Sequence, residues 1–217
     1  MAATRTPHPR ERQPRQQRSE ETRAQILAAA EQLFAREGYA GASLSMLARE
    51  IGIHKPGIFY YFPTKRALYE AVVKEALGSI EESTLALLAS ERAARDRILA
   101  AAANWVDTLA DRPTLARLLL HEAANPDATN TPAVFAEVGQ RLQLQIGDAM
   151  REIQPTAHEG DIYHYFSMLT GGTLFYASAM QPMMSAHSAP ASVHSMEHHK
   201  KLLLGMTRDF LRRLKAA

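Results

Sequence analysis

The sequence predicts an all-α protein, an N-terminal three-helix helix-turn-helix domain followed by a larger helical body. Three observations carry this. Apolar residues recur at i, i+3 and i+4 in segment after segment, the spacing of a helix buried on one face. Helix punctuation falls at segment ends, with glycine closing at Gly38 and Gly52 and proline opening at Pro56, Pro113 and Pro132. The 217 residues are 46% hydrophobic and 7% aromatic, enough for a real buried core.

Each element has its own signal. Ser19, with Thr22 close behind, is placed to cap a first helix whose apolar positions Ile26, Ala30, Leu33, Phe34 and Tyr39 keep the helical spacing up to Gly38. Ser43 then precedes LSMLAREI, in which Leu44, Leu47, Ala48 and Ile51 are apolar, and Gly52 closes that short helix. Proline suits a first helical turn, because its missing N–H has no intrahelical partner there, so Lys55-Pro56 opens a third helix running to Phe62. Two short helices joined by a tight turn, after a longer one, make a helix-turn-helix. Six more helices read at about 64–89, 92–110, 113–124, 131–153, 159–181 and 193–214, with Asp111 and Thr131 near the starts at Pro113 and Pro132 as caps. The fourth of the six is amphipathic, with Phe135, Val138, Leu142, Ile146, Ala149 or Met150, and Ile153 on one stripe and Glu137, Arg141, Asp148 and Arg151 elsewhere. The expected organisation is an arm over 1–18, a helix-turn-helix domain over 19–65 and a helical domain over 66–217.

Within IGIHKPGIFYYFPTK, four consecutive aromatics, Phe59 to Phe62, cannot all face one core, because only i, i+3 and i+4 share a helix face. Ile58 and Phe62, four apart, close with Ile53 onto Leu47, Ile51 and Phe34. Lys55, Gly57, Phe59, Tyr60 and Tyr61 are left on the outer faces. A packed aromatic cluster accounts for Phe62 and Phe59 and leaves two tyrosines over. A major-groove ligand accounts for them better, since tyrosine hydroxyls reach phosphate oxygens, ring faces meet thymine methyls and lysine meets phosphate or guanine.

ILAAAEQLFAREGYAGASLSMLAREIGIHKPGIFYYFPTKRALYEAVV resembles the DNA-binding domain of the tetracycline-repressor (TetR) family over about residues 22–73, in helix order, turn position and the closing F-x-x-K-x-x-L pattern at Phe62, Lys65 and Leu68. The resemblance implies that Lys55, Pro56, Gly57, Tyr60 and Tyr61, with Phe59 beside them, occupy the base- and backbone-contacting positions of a recognition helix. It implies that Lys65 is a phosphate-binding lysine, and that Ser43 and Ser45 open a helix whose N–H groups and hydroxyls hold phosphate. Three positions depart from the family pattern: His54 stands where a small hydroxyl cap is usual, Phe59 where a tyrosine is usual and Ser45 where an arginine is frequent. These departures weaken the expected phosphate grip.

Charge is distributed to match. Residues 1–74 carry 12 Lys/Arg against 7 Asp/Glu, whereas residues 75–217 carry 13 against 16, so the basic end is the N-terminal one although the net charge is only +2. MAATRTPHPRERQPRQQRS has no apolar run and is no secretory signal; it reads as a disordered arm. Its Arg5, Arg10, Arg12, Arg15 and Arg18, against Glu11, either reach DNA or touch nothing specific.

In the body, Ile162 to Met196 contains no Asp, Glu, Lys or Arg. A helix without a wet face is buried on several sides or lies in a membrane. His164, Ser167, Thr170, Thr173 and Ser178 dilute the run too much for a span, so the reading is a helix packed on its own domain and on a second subunit, with no membrane partner. Gly171 and Gly172 permit close approach, and Leu203, Met206, Phe210 and Leu214 give the last helix a matching stripe. The resemblance implies a homodimer built from these two helices, which suits a palindromic double-stranded operator. It also implies that 66–217 is an effector-binding and dimerisation domain, with Trp105, Leu118, His121, Phe135, Leu142, Tyr165, Phe166, Leu169, Phe175, Tyr176 and Met180 as candidate walls around an unknown small molecule. A protein partner in place of that molecule is the alternative. The polar tips and the absence of Lys and Arg from the uncharged stretch favour an uncharged or cationic, largely apolar effector over an anion.

His187, His194, His198 and His199, with His158 and His164, invite a metal reading, but only His194 and His198 have i, i+4 spacing; a mobile polar loop is preferred, with no metal and no cofactor. No glycine-rich phosphate loop, Gly-x-Ser-x-Gly elbow or paired metal motif occurs, so an enzyme is not expected. Cysteine is absent, which excludes thiolate chemistry and fits the cytoplasm.

Overall fold

The computed structural model describes residues 15–124, 133–186 and 190–216. The expectations for Arg5, Arg10, Glu11, Arg12, Thr131, Pro132 and His187 lie outside the described residues. All regular structure among the described residues is helical: α1 (Arg15–Gly41), α2 (Leu44–Ile51), α3 (Lys55–Tyr61), α4 (Lys65–Leu88), α5 (Ala94–Asp111), α6 (Pro113–Ala123), α7 (Ala133–Ile153), α8 (Glu159–Phe175), a π-helical turn (Tyr176–Met180), α9 (Gln181–Ala186), α10 (Ala191–His194) and α11 (Met196–Ala216).

The head forms as its local chemistry directs. Ser43 is an extended N-cap whose hydroxyl accepts from Met46 N at 3.2 Å, and α2 ends on Gly52 at φ 67°, a left-handed conformation that costs a side chain strain. Pro56 sits in the first turn of α3, and His54 makes no side-chain cap bond. Ile58 and Phe62 are buried with Leu47 and Phe34, while Ile51 and Ile53 pack partly buried against the same core.

The start of α1 corrects the expectation. Ser19 is not a cap: the helix begins at Arg15, so residues 15–18, assigned to a disordered arm, are helical. Arg and Gln are good helix formers, so this run extends the helix. One turn in, the Ser19 hydroxyl donates to Tyr61 Oη at 3.3 Å, and Thr22 Oγ1 donates back to Arg18 O at 2.8 Å. At Gly38 (φ 67°, ψ 172°) the chain leaves helical geometry before a final turn.

The body wraps α4. That helix packs against α7, α5 and α1, while α5 also meets α11 and α7, and α6 packs on α1. In α7 the expected stripe is inward, with Val138, Leu142, Ile146, Ala149 and Met150 buried, and Arg141 ion-paired to Glu81 outside it. One contiguous apolar core runs from head to body.

Three body boundaries differ from expectation. Asp111 is not the cap of α6: α5 runs through it, and Arg112 alone flanks both helices without a side-chain cap bond. A one-residue connection leaves Asp111 no extended position to occupy; Arg112 instead pairs with Glu31 of α1 at 2.7 Å, beside a Thr114 bond to the same carboxylate at 3.1 Å. The helix expected over 159–181 changes at Tyr176 into a π turn and resumes as α9. Pro182 cannot donate to the carbonyl four residues back and its ring crowds that carbonyl, which the wider turn relieves. The segment expected as a polar loop holds α10, with His194 buried, and Ser195 breaks it from α11 by accepting from His198 N at 3.1 Å.

Candidate nucleic-acid interface and body cavity

The start of α2, the outer side of α3 and the start of α4 meet around an open cleft of about 500 Å³ lined by Ala42, Ser43, Leu44, Ser45, Lys55, Phe59, Pro63, Thr64 and Lys65. Two cations, three hydroxyls and the N-terminal turns of two helices converge there, which makes an anion-binding concavity. Five of the residues expected to face DNA, Ser43, Ser45, Lys55, Phe59 and Lys65, are brought together in it. Lys55 Nζ lies 5.7 Å from the Phe59 ring centroid. Lys65 Nζ sits 4.5 Å above the Tyr39 ring, within 3.4 Å of Ala40 O, and burial draws its pKa down.

Of the rest, Tyr60 is 80% exposed, its ring edge-on to that of Tyr61 at 5.0 Å, and Pro56 is exposed. Gly57 is half-buried, and a Cβ there would meet Ile53 at 3.9 Å. Tyr61 is a correction: it does not stand free on the outer face but packs half-buried against the core with its hydroxyl taken by Ser19. Ser19, inside α1 instead of at its cap, is the residue that meets it. Thr64 was missed from sequence. Its side chain accepts from Ala67 N at 3.0 Å as the N-cap of α4, and a hydroxyl residue just before Lys65 was the available signal.

The body candidates divide into several locations. Trp105, Leu142, Phe166 and Leu169 line one interior cavity of about 20 Å³, together with Ile80, Thr84, Ala101, Ile146 and Thr170. Tyr165 and Leu169 line a larger groove of about 190 Å³ between α8 and α11, with Met168, Leu203, Met206 and Phe210. Tyr165 stacks on Phe210 at 5.0 Å and its hydroxyl meets Thr207 at 3.3 Å; burial pushes its phenol pKa up to about 12, with the Thr207 bond opposing. Leu118 is buried core and Phe135 is partly buried on α7. His121 is exposed near Gly38, and Phe175 is exposed on α8, so neither reaches the cavity. Tyr176 stacks on His199 at 4.2 Å, and Met180 ends the π turn. Burial lowers the pKa of His199 and raises that of Tyr176. Among the described residues no group of three or more His, Cys, Asp or Glu is placed to hold a metal ion. No helix among them is long and apolar enough to cross a membrane.

A second set of contacts joins head to body. Tyr69 of α4 packs edge-on to Phe34 and tilted on Tyr39, each at 4.9 Å, and donates its hydroxyl to buried Glu122 of α6.

The architecture has known counterparts. A TetR-like transcriptional regulator from Rhodococcus sp. RHA1 superposes with a TM-score of 0.70 at 15% identity, covering 93% of this chain and 99% of that one. FadR from Bacillus subtilis, solved with stearoyl-CoA, gives 0.63 at 18% identity, covering 88% and 96%. These likenesses establish the fold. In sequence, the chain is 28% identical over 119 residues, 55% of its own length, to the HTH-type transcriptional activator FasR of Mycolicibacterium smegmatis. It is 42% identical over 52 residues to the HTH-type transcriptional regulator RutR of Escherichia coli K12, 24% of each chain. The chain spans about half of FasR's length, 52%, and less of RutR's; against the HTH-type transcriptional repressor NicS of Pseudomonas putida it spans 82% at 24% identity. These relatives are regulators of transcription, not enzymes. Residues 26–72, the stretch that builds α2, α3 and the cleft around them, match the bacterial regulatory proteins of the tetR family.

Proposed function

We propose that the protein is a cytoplasmic DNA-binding repressor that holds a palindromic operator as a homodimer and releases it when a small molecule occupies the body. The observation that carries the DNA-binding part is the cleft, where Ser43, Ser45, Thr64, Lys55 and Lys65 surround one open concavity beside exposed Tyr60. Phosphate held there would position α3, and Tyr60 and Lys55 would read base edges.

The homodimer reading rests on α8 and α11. His164, Met168, Gly171, Gly172 and Phe175 lie exposed along one face of α8, and Leu202 and Met206 along α11, with the 190 Å³ groove between them. Contiguous apolar surface of this kind marks an interaction site. A dyad through it would place two α3 helices for half-sites about 34–36 Å apart. The effector reading rests on the interior cavity. Stearoyl-CoA in the Bacillus subtilis structure is far larger than that cavity, so an acyl effector would have to open it.

Gel-shift titration on an operator selected from random DNA tests the reading. Tyr60→Ala should cost about 1–3 kcal/mol and relax preference at the contacted base, whereas Lys65→Ala should weaken all sequences alike and flatten the salt slope. Wild-type affinity in Tyr60→Ala refutes the base-reading role. Compounds that raise the melting temperature yet leave operator affinity unchanged would favour a protein partner over a small effector.

A further inference from the structure

The two lysines of the cleft are held differently. Lys55 is exposed, and its Nζ stands 5.7 Å from the ring of Phe59, which is itself 42% exposed. Lys65 is half-buried; its Nζ lies 4.5 Å over the Tyr39 ring and donates to Ala40 O at 3.4 Å. Ring and carbonyl come from consecutive residues, in the turn that follows the break in α1 at Gly38. Both present negative charge density to the ammonium, one from the face of its π-system and one from an oxygen lone pair.

The Tyr39 ring is itself fixed. It stacks on Phe34 at 6.2 Å and tilts against Tyr69 at 4.9 Å, and both of those residues are buried. Tyr69 is tied in turn to Glu122 of α6. A side chain as long as lysine ordinarily loses much of its rotamer freedom when it grips a ligand. Here part of that freedom is already lost on folding, because the groups that seat Lys65 are anchored in the core. Burial also lowers its pKa, the mark of an ammonium that has given up some of its water. From this seat Lys65 still lines the open cleft, so holding the side chain does not hide it.

We propose that Tyr39, with the Ala40 carbonyl, is a positioning residue for DNA binding: it holds the Lys65 ammonium at the cleft wall, so that a backbone phosphate meets a cation already placed and partly dehydrated. The proposal rests on the DNA-binding reading of the cleft and adds to it a residue outside the cleft's own lining. Tyr39 acts through Lys65 alone. Phosphate contacts carry no sequence information, so the effect falls equally on every duplex. The gain is one of preorganisation, a binding group ordered before its ligand arrives.

The test uses the full-length protein and fluorescence anisotropy, with an operator selected from random DNA and a random duplex of equal length. Tyr39→Leu removes the ring face, whereas Tyr39→Phe retains it. Tyr39→Leu should weaken both duplexes by the same factor, about 2- to 5-fold for each Lys65 engaged, the contribution of one exposed cation–π contact. Tyr39→Phe should restore wild-type affinity, and in a Lys65→Ala background Tyr39→Leu should have no further effect. An equal loss in both backgrounds shows a packing role and overturns the proposal, as does unchanged or tighter binding by Tyr39→Leu. A second measurement needs neither DNA nor the leucine variant. In the free protein labelled with ¹³C-lysine, the ε-methylene resonance assigned to Lys65 by its loss in Lys65→Ala should lie upfield, shielded by the ring face. An unshifted Lys65 resonance in a protein that binds DNA overturns this proposal alone, whereas wild type that binds neither duplex refutes the DNA-binding reading and this proposal with it.

Discussion

Removing one oxygen atom from the junction between head and body should measurably destabilise the whole chain. Glu122 is 3% exposed; its Oε2 accepts from Tyr69, and its Oε1 has no partner among the described residues. Tyr69→Phe keeps the ring and its contacts with Phe34 and Tyr39, so it removes only the donor. A hydrogen bond to a charged group contributes about 1.5–3 kcal/mol, and here its loss also strands a buried carboxylate. At about 2–4 °C per kcal/mol for a chain of this size, the melting temperature should fall by about 3–12 °C. Urea unfolding followed by circular dichroism checks this in the single variant and in Tyr69→Phe/Glu122→Leu. Because the double variant has no carboxylate left to strand, it should recover part of the loss, with a coupling of about 1–3 kcal/mol. Alkaline titration adds an independent reading. Burial first, then the bond to Glu122, hold the Tyr69 phenol far above its ordinary pKa near 10. Its contribution is therefore complete below pH 10 and disappears as the pH climbs beyond it, a loss that Tyr69→Phe lacks. A Tyr69→Phe protein within about 0.5 kcal/mol of wild type, the range of an ordinary surface substitution, refutes the argument.

Ser43→Ala removes the acceptor for Met46 N and should cost about 0.5–2 kcal/mol in urea unfolding, with operator affinity lowered because the same residue lines the cleft. Met206→Glu places a charge on a side chain 61% exposed and bordering the groove between α8 and α11; if the proposed homodimer forms across this face, light scattering should find dimer for wild type and monomer for the variant, with helical content unchanged. The neutral form of His199 is favoured by burial, stacked on Tyr176, so its contribution is whole above pH 6.5 and is lost as pH falls through its lowered pKa. His199→Phe should flatten that acid limb of the urea midpoint between about pH 7 and pH 5.

What was legible in the sequence was local. Ser43 and Gly52 bound α2 because a cap and a left-handed terminus are decided within a few residues, and Pro56 fixed the opening of α3 for the same reason. Ile58 and Phe62 separated from Tyr60 by helical periodicity alone. Tyr61 did not, because its hydroxyl is taken by Ser19 of α1, 42 residues earlier in the chain. The Asp111 cap failed because two helices meet with one residue between them, and His194 was misread because a buried histidine and a loop histidine look alike in a Pro/Ser/Ala-rich segment. The cavity needed three dimensions: Trp105 and Phe166 come from α5 and α8, and Thr84 carries no sequence signal that separates it from a solvent-facing helix residue. Likewise Leu118 and His121, one turn apart on α6, face the core and the solvent respectively.

The charge-free run had to be covered on more than one side, and α8 shows how its two sides divide. Phe166, Leu169 and Thr170 line the interior cavity, while His164, Met168 and Phe175 lie along the outer stripe, and Leu169 also borders the groove that separates α8 from α11. The proposed effector site and the proposed dimer face are thus two faces of one helix. A small molecule can shift an equilibrium only by binding one conformer better than another. With 20 Å³ available, an occupant larger than water requires a conformer in which lining side chains have moved, and one of them, Phe166, sits on the same turn of helix as Met168. In the proposed homodimer, the geometry that sets the distance between two recognition helices would therefore be altered at its own interface, without a relay through intermediate residues. Coupling of about 1–3 kcal/mol, enough for a 5- to 150-fold change in operator affinity, requires only that the dyad tolerate one position of α8 better than the other.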